Sequence, residues 1–434
     1  MNPEEDTTLK AEYSEAIEYL YGLQSFGARL GLGNIQTLCS RFKHPEKDLR
    51  FIHVAGSNGK GSVCAMLESI YRHAGYRTGL FTSPHLISFG ERIQVNRSLL
   101  SKGEVVRLTQ QIRPALDSFS VANHPTFFEV ITLMALLHFH EEKCDIVLWE
   151  TGLGGRLDST NIVTPLASLI TNISLEHQQY LGSTLPEIAR EKAGIIKRSV
   201  PVITAEANAE LLQIIKEEAL KKESPFFFAT LDSLPSLPPQ FPEYQKSNIS
   251  LVLKTIQTLQ SQLPVFESSL YEGLKATEWP GRFHIIQRNN QKIVLDGAHN
   301  VAGFTALIES FKKRFNQKPH IVIGVLADKD WNSICQLLAP HGASFSCVPV
   351  PNSRSLAPAV LADKLRRHTS PQINVTTQKD IRNALNALKE ASLVLVCGSL
   401  YLISEALSIL SQETSPHPLE RELNNWSNTS LLNP

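Results

Sequence analysis

The sequence predicts an α/β protein built on a mostly parallel β-sheet, followed by a second, smaller α/β domain. Short apolar runs alternate with segments of helical periodicity along most of the chain, which is typical of strands joined by crossover helices. A glycine-rich turn at 56–62 connects one of these runs to a helical segment. The same alternation begins again near residue 292, after a proline-rich stretch.

The composition is that of a folded protein that acts on small molecules. The chain has 434 residues, 42% hydrophobic and 19% charged, which is enough to bury a core without disulfides. Lys and Arg total 42, as do Asp and Glu, and the absence of a basic excess disfavours nucleic acid as a partner. The acidic N-terminus is not a secretory signal, and no apolar run reaches the roughly 20 residues that cross a bilayer. With 6 scattered cysteines, we expect a cytoplasmic protein that binds no membrane.

In the first domain, the first 50 residues have the spacing of polar helices. The predicted strands are 51–55, 78–82, 145–149 and 166–173. The predicted helices are 63–74, 128–140, 186–192, 208–222 and 248–259. Four prolines make 231–244 a predicted surface loop.

In the second domain the predicted strands are 293–295, 321–325 and 393–397. The predicted helices are 301–315, 331–338, 357–368 and 381–390. We place the boundary within 281–291, which gives domains at 1–285 and 286–412. The tail, 413–434, is rich in Ser, Asn and Pro, and we expect it to be poorly ordered.

The strongest local motif is the glycine-rich turn, which we call the P-loop (56–62). Residues 54–61 match G-x-x-x-x-G-K-[ST] except that Val54 holds the first glycine position and Gly61 the Ser or Thr position. Backbone N–H groups, a helix N-terminus and Lys60 would together bind the phosphates of a nucleotide. The alternative is a turn that only caps a core helix.

Polar residues follow three of the predicted strands, at the edge where open α/β sheets bind ligands. Glu150 follows 145–149, His177 follows 166–173 and Ser83 follows 78–82. Glu150 suits Mg²⁺, which an ATP-using enzyme requires. The alternatives are a solvated charge for Glu150, a helix-start or loop histidine for His177, and a turn residue for Ser83.

Two further residues, Lys192 and Asp296, each have more than one possible role. Lys192 lies late in a predicted helix, and its position alone favours an ordinary exposed lysine. Asp296 ends the strand 293–295 and opens the polar segment DGAHN. Its alternative role is a helix N-cap, since Asp is a favoured capping residue.

Several segments together resemble one family. They are, in chain order, HVAGSNGKGS, LFTSPHLISFGERI, FFEVITLMALLHF, ETGLGGRLDSTN, HQQYLGSTLPEIAREKAGIIK, WPGRF and DGAHN. From about residue 20 to 402 the chain resembles the folylpolyglutamate synthase and dihydrofolate synthase family of the Mur ligase superfamily. The resemblance implies a P-loop-containing, Mur-ligase-like ATPase domain, followed by a smaller Rossmann-like glutamate-ligase domain.

The resemblance also implies a reaction. The enzyme would use ATP to join L-glutamate to dihydropteroate, and to the γ-carboxylate of reduced folates, through an acyl phosphate. A carboxylate needs this activation because its oxygen is a poor leaving group until it carries a phosphoryl group. Charge moving between the anions must be neutralised, which is a role for Mg²⁺ and the P-loop lysine.

The resemblance assigns residues by position. It implies ATP contacts at Ser57, Asn58, Gly59, Lys60, Gly61, Ser62, Asn248, Arg282 and Asp296. It implies ligands of two Mg²⁺ ions at Ser83, Glu150, His177 and Lys192. It implies catalytic roles for Lys60, Lys192, His177 and Glu150, with Lys192 converted by CO₂ to a carbamate, N6-carboxylysine. It implies dihydropteroate contacts at Thr126, Phe127, Phe128, Glu129, Leu157, Asp158 and Ser159, and glutamate-side residues at His299 and Ser399.

Two positions depart from the family pattern. Ser57 replaces a Thr, and Glu176 replaces an Asp, so that one extra methylene shifts the contacts around His177. From the residues themselves, Phe127 and Phe128 offer flat faces to a pterin ring, and Glu129 accepts its hydrogen bonds. The alternative is that both rings are core and Glu129 is a helix-start charge.

We therefore expect a monomeric folate ligase that acts on both acceptors, with a monofunctional folylpolyglutamate synthase as the first alternative. A Mur-type cell-wall ligase would need a UDP-sugar domain before the ATPase domain, and only a short segment precedes Gly56. A regulatory nucleotide-binding module is disfavoured because Lys60, Glu150, His177 and Lys192 are all present.

Overall fold

A computed structural model of the chain describes residues 3–27, 29–231, 241–410 and 419–420. The helices are α1 (Pro3–Gly22), α2 (Gly33–Arg41), α3 (Lys60–His73), α4 (Lys102–Leu116), α5 (Phe127–Glu141), α6 (Gln178–Leu181), α7 (Leu185–Ala193), α8 (Ala209–Lys221), α9 (Gln245–Leu259), α10 (Glu267–Lys275), α11 (Val301–Arg314), α12 (Trp331–Leu338), α13 (Pro358–His368), α14 (Ile381–Ala387) and α15 (Leu400–Leu410). The strands are β1 (Phe51–Ala55), β2 (Thr78–Phe81), β3 (Ile93–Val95), β4 (Ser98–Leu99), β5 (Ile146–Glu150), β6 (Ala167–Ile170), β7 (Val202–Thr204), β8 (Phe226–Phe228), β9 (His284–Arg288), β10 (Gln291–Asp296), β11 (His320–Ile323), β12 (Ser344–Cys347), β13 (Asn374–Thr377) and β14 (Leu393–Cys397).

The chain divides into two compact units, and the first holds β1 to β8, α1 to α8, most of α9, and α10. Its sheet runs in the order β4-β3-β2-β5-β1-β6-β7-β8. The pairs β2–β3 and β3–β4 are antiparallel, and the remaining pairs are parallel. Every residue of β1 and β5 is buried, as expected for parallel strands with both faces covered.

Helix α3 follows the P-loop and is anchored in the first unit by close packing. Its residues from Ser62 to Tyr71 are buried. Helix α10 packs against it at Gly273, where an added Cβ would lie 2.5 Å from the Cα of Ile70. The Ser69 hydroxyl donates to the Gly273 carbonyl at 2.7 Å. A glycine is therefore required at the crossing, which fixes the helix whose N-terminus faces the candidate site.

The second unit holds β9 to β14 and α11 to α15. Its sheet runs in the order β13-β12-β11-β14-β10-β9, and β9 is the antiparallel member. Its core is apolar and includes Phe304, Phe311 and Phe345. The boundary predicted between 285 and 286 falls inside β9, which pairs along its length with β10.

The predicted fold class is confirmed, with local differences. The strand predicted at 166–173 ends at Ile170, because the residues after it bond to the P-loop instead of continuing the ladder. Short strands such as β7 and the edge strand β8 were not predicted, since three residues carry too little pattern. Most of the predicted loop and tail lies outside the described residues. Within the described part, no helix has the length and apolarity to cross a membrane.

Candidate active site

The P-loop lies at the carboxyl end of β1, the strand between β5 and β6. Gly59 is the N-cap of α3 with φ 91°, a left-handed conformation that favours glycine. A Cβ added there would lie 2.4 Å from Oδ1 of Asn248 on α9. The half-buried Lys60 folds back over the loop, and its Nζ donates to the Gly56 carbonyl at 2.8 Å. The structure thus brings together the P-loop and Asn248, both of which were assigned to ATP.

The segment after β6 holds the P-loop in place. The N–H groups of Ser57 and Asn58 donate to the backbone oxygen and to Oδ1 of Asn172, both at 2.8 Å. The Thr171 hydroxyl donates to the Asn58 carbonyl at 2.7 Å, and the Ser174 N–H donates to Ser57 Oγ at 2.9 Å. These two loop N–H groups are already engaged within the protein. The N–H groups at the start of α3 are therefore the better phosphate donors, because helix geometry gives them no intrahelical acceptor.

Glu150 and Ser83 lie side by side at the ends of the neighbouring strands β5 and β2. The Ser83 N–H donates to Oε2 of Glu150 at 3.1 Å. Glu150 is 4% exposed, so its alternative role as a solvated charge is wrong. Burial raises the pKa of the nearby Cys64 thiol well above its ordinary value, with Glu150 raising it further and Lys60 opposing. Glu150 and the P-loop lysine therefore act on the same buried neighbourhood.

Lys192 is buried, and the exposed helix lysine favoured by its position alone is wrong. It is 1% exposed, and its Nζ donates to Oε1 of Glu176 at 2.7 Å. Burial lowers the pKa of Lys192; Glu176 opposes this, and the charge of Lys60 lowers it further. Burial alone would raise the pKa of Glu176, but Lys192, Lys60 and His177 hold it at about 2. These four side chains form one electrostatic cluster. Within it, Glu176, one methylene longer than the Asp of the family pattern, accepts the hydrogen bond from Lys192.

His177 is the N-cap residue of the short helix α6. Its backbone is left-handed, with φ 44°, a conformation that histidine adopts more often than most side chains. This placement agrees with the helix-start alternative. Among the described residues, no group of three or more His, Cys, Asp and Glu is arranged to hold a metal. Ser83 and Lys192, the other two predicted ligands, are not in that set of side chains.

The first predicted dihydropteroate segment forms a capping box at the start of α5. The Thr126 N–H donates to Oε2 of Glu129 at 2.8 Å, and the Glu129 N–H donates to Thr126 Oγ1 at 3.3 Å. Burial raises the pKa of Glu129, against hydrogen bonds from Thr126 and Asn34 and the charge of Arg29. The N-terminal segment that carries Arg29 and Asn34 thus reaches this site. Sequence reasoning missed both residues because no motif marks them.

The two phenylalanines do not present open ring faces, which corrects that expectation. Phe127 is 5% exposed and packs on Tyr21, with ring centroids 5.2 Å apart. Phe128 is 6% exposed and lies against Gly152, where a Cβ would come within 2.3 Å of its Cζ. The physical reason is that α1 and α2 pack over α5, so the first turn of this apolar helix is already inside the core.

The second predicted segment, 157–159, is tied to the first. The buried carboxylate of Asp158 accepts the N–H groups of Leu153 at 2.7 Å and Thr160 at 3.0 Å. Burial raises its pKa, and these hydrogen bonds oppose the rise. The hydroxyls of Ser159 and Thr132 lie 2.8 Å apart, and Thr132 is on α5. The structure therefore brings the two segments together.

Asp296, at the end of β10, organises the corresponding turn of the second unit. Oδ2 accepts the Tyr244 hydroxyl at 2.9 Å and the Phe283 N–H at 2.8 Å, while Oδ1 accepts the Ala298 N–H at 2.9 Å. Burial raises the pKa of Asp296, and the guanidinium of Arg282 opposes the rise. Sequence reasoning missed Tyr244, which precedes the predicted helix at 248–259.

The N-cap alternative for Asp296 is wrong, because Asn300 caps α11 by accepting the Gly303 N–H at 2.7 Å. His299 lies in the same turn, with Nδ1 2.8 Å from the Gly297 carbonyl. Ser399 follows β14, the strand beside β10, and its hydroxyl accepts the Tyr401 N–H at 3.1 Å. The turns that carry His299 and Ser399 therefore lie at the same sheet edge.

Comparison with known proteins accounts for both units. Residues 54–264 match the model of the Mur ligase middle domain. Residues 281–400 match the Mur ligase, glutamate ligase domain. The chain is also 35% identical over 429 residues to the dihydrofolate synthase/folylpolyglutamate synthase of Bacillus subtilis (strain 168), covering 91% of this chain and 98% of that protein.

The chain belongs to the folylpolyglutamate synthase and dihydrofolate synthase family. The family predicted from the motifs is thereby confirmed. Among solved structures, E. coli FolC in complex with DHPP and ADP is 28% identical with a TM-score of 0.82, covering 92% of this chain and 98% of that one. The bifunctional enzyme of Yersinia pestis complexed with AMPPNP and Mn ion is 29% identical with a TM-score of 0.81, again covering 92% and 98%.

Proposed function

We propose that this chain is an ATP-dependent ligase that joins L-glutamate to dihydropteroate and to the γ-carboxylate of reduced folates. The observation that carries the proposal is the match to a bifunctional relative over almost its whole length, with the lysine cluster of the first unit intact. ATP as co-substrate and a divalent metal are supported by the nucleotides and Mn ion in relatives.

The reaction proceeds in two balanced steps. A carboxylate oxygen of the acceptor attacks the γ-phosphorus of ATP, forming an acyl phosphate and releasing ADP. The glutamate amino group then attacks the acyl carbon, the C–O bond to phosphate breaks, and the amine loses a proton. Lys60 and the N–H groups at the start of α3 bind the phosphates, since they are cationic or carry the positive end of the helix dipole.

The residues beside Glu150 fit Mg²⁺, because an adjacent serine hydroxyl and a buried carboxylate are oxygen donors. We assign Ser83, Glu150, His177 and a carbamylated Lys192 to two Mg²⁺ ions. When bound, the ions would neutralise the negative charge that develops on the transferring phosphoryl group. The nitrogen of His177 is the least typical donor for this metal.

Carbamylation explains why a lysine is placed in this position. The ammonium of Lys192 first loses one proton. The neutral amine then attacks CO₂, an N–C bond forms as one C=O π bond opens, and a second proton is released, which converts the original cation into an anion. The lowered pKa of Lys192 favours the reaction because the neutral amine is the nucleophile. The ion pair with Glu176 is made by the unmodified lysine. A carbamylated Lys192 would be an anion beside the Glu176 carboxylate, and the two anions would require a cation between them.

We assign Thr126 to Glu129 and Leu157 to Ser159 to the dihydropteroate site, by family position. The burial of both phenylalanine rings favours a second candidate, a monofunctional folylpolyglutamate synthase, because the segment assigned to dihydropteroate presents no open ring face. Binding of dihydropteroate against these rings would require the packing around α5 to change.

The remaining assignments follow family position. We assign Asn248, Arg282 and Asp296 to ATP, and His299 and Ser399 to the glutamate side. The ATPase domain at 1–285, the glutamate-ligase domain at 286–412, a monomeric state and a cytoplasmic location all stay predictions.

The proposal is tested by assaying the purified chain with ATP, Mg²⁺ and L-glutamate, and identifying products by mass spectrometry. We expect dihydropteroate to gain one glutamate and a reduced folate to be extended. Extension of the folate alone would support the monofunctional candidate. Phosphate release that needs neither acceptor would contradict both.

A further inference from the structure

His53 is a polar side chain in the middle of the fully buried strand β1, and its side chain is 0% exposed. Its Nε2 lies 2.9 Å from Oγ1 of Thr160. A polar group inside a parallel sheet is unfavourable unless it is hydrogen-bonded, so the contact with Thr160 offsets the cost of burying the His53 ring. Burial lowers the pKa of His53 to about 3, with Lys197 adding to the effect, so the ring is neutral.

The direction of the hydrogen bonds can be assigned along this chain of groups. The Thr160 hydroxyl donates its single proton to Oδ1 of Asp158. It must therefore accept from His53, which carries its proton on Nε2. Nδ1 is then a proton-free acceptor, and no described residue lies within hydrogen-bond distance to donate to it. His53 thus acts as a donor in one direction, toward Thr160 and, through it, Asp158.

Asp158 is the residue that shapes the glycine-rich turn after β5. Its two carboxylate oxygens accept the N–H groups of Leu153 and Thr160, which closes the turn over residues 153–160. The same turn carries Leu157 and Ser159, and Ser159 bonds to Thr132 on α5. The series of hydrogen bonds that starts at His53 on β1, three residues before the P-loop begins, therefore ends at the turn assigned to dihydropteroate.

We propose that His53 is a positioning residue that acts through Thr160 to fix the Asp158 turn in the geometry that binds the acceptor substrate. The inference rests on the proposed function for the identity of that substrate. As a positioning residue, His53 contacts neither substrate nor phosphate. Its effect is to keep the Thr160 hydroxyl pointed at Asp158, because a donor on one side of that hydroxyl leaves only the acceptor on the other.

The test compares two ways of breaking the hydrogen bonds that run from His53 through Thr160 to Asp158. His53→Met removes the donor and replaces the ring with an apolar side chain of similar length, and Thr160→Val removes the hydroxyl. We expect each variant to raise the KM for dihydropteroate about three- to tenfold, the worth of one hydrogen bond, with the KM for ATP within about twofold of wild type. The double variant should be no worse than the poorer single variant, because both break the same chain.

Two further variants separate positioning from packing. His53→Gln keeps an N–H donor near the position of Nε2, and we expect it to recover much of the lost affinity. Ile52→Val, a neighbour in the same buried strand, should lower the melting temperature without a selective change in either KM. If His53→Met fails to fold, Thr160→Val alone decides the kinetic comparison.

Hydrogen exchange gives a readout that does not depend on activity. The amides of Leu153 and Thr160 both donate to Asp158, so we expect them to exchange faster in His53→Met and Thr160→Val, while amides within β1 stay protected. A wild-type protein that fails to ligate dihydropteroate would defeat the proposed function and leave this exchange test decisive. Unchanged exchange at both amides, or equal losses for ATP and dihydropteroate, would overturn the role of His53.

Discussion

Lys60 and Lys192 are two lysines of the first unit that act on each other electrostatically but have opposite surroundings. Lys60 is half-buried and donates to neutral carbonyl oxygens of its own loop. Lys192 is fully buried and donates to a carboxylate. The charge of Lys60 is among the influences that lower the pKa of Lys192.

The difference fits the two separate roles that are proposed for lysine within one cluster. Weak neutral acceptors can be exchanged for phosphate oxygens, as the proposed phosphate-binding role of Lys60 requires. A buried amine with a lowered pKa is a better nucleophile toward CO₂ and a worse free cation, so Lys192 suits conversion to an anion. Three predictions, in decreasing order of expected effect, test whether this contrast holds.

The largest effect should come from Lys60→Ala. Removing the cation that is proposed to meet the phosphates should lower kcat by roughly 10²–10³-fold, while the melting temperature stays close to wild type because the acceptors of Lys60 within the described residues are loop carbonyls. Steady-state ligation kinetics and thermal unfolding would measure the two quantities. The exposed Lys222→Ala is the matched control and should change neither. Turnover within a few-fold of wild type would remove Lys60 from the phosphate site.

Lys192→Ala should also abolish most activity, for a different reason. It removes the proposed carbamate, and it leaves the carboxylate of Glu176, whose side chain is 13% exposed, without its ion-pair partner, which lowers stability. Added formate or acetate should recover part of the activity by supplying the missing anion. Lys60→Ala is the control, since a carboxylate cannot replace a cation. If short carboxylates rescue neither variant, the contrast between the lysines lies in stability alone.

The smallest effect concerns acid stability. Glu176 has a pKa of about 2, against an ordinary 4.5, so its contribution is fully present above pH 4.5 and is lost as the pH falls toward 2. We expect Glu176→Gln to flatten the pH dependence of the unfolding free energy in this window. Urea unfolding at several pH values would measure it, with Glu223→Gln, an exposed ion-pair residue, as the control. If the unfolding free energy depended on pH equally in Glu176→Gln and wild type, Lys192 would not lower the pKa of the Glu176 carboxyl.

Much of the fold and the family was predictable because strong patterns mark them. The strand before the P-loop, the helix after it and the ordered motifs are all local in sequence. The residues that hold the site were less visible. Asn172 and Thr171 sat in a predicted strand, and their role arises only because the end of β6 meets the P-loop across the sheet.

Burial was the property that sequence alone judged least well. An isolated lysine late in a helix is usually exposed, and only packing shows that Lys192 is not. The phenylalanines of α5 illustrate the same error, since rings that were expected to present open faces to a substrate are in the core. Both outcomes depend on which elements cover a helix, which local spacing does not encode.

Activation of the acceptor carboxylate by a phosphoryl group from ATP is tested most directly with oxygen-18. Dihydropteroate labelled in its carboxylate would be incubated with ATP, Mg²⁺, L-glutamate and the wild-type chain, and the released phosphate analysed by mass spectrometry. Because the bridging oxygen of the acyl phosphate comes from the carboxylate, we expect one labelled oxygen in each phosphate released with product. Unlabelled phosphate accompanying the same amide product would contradict it.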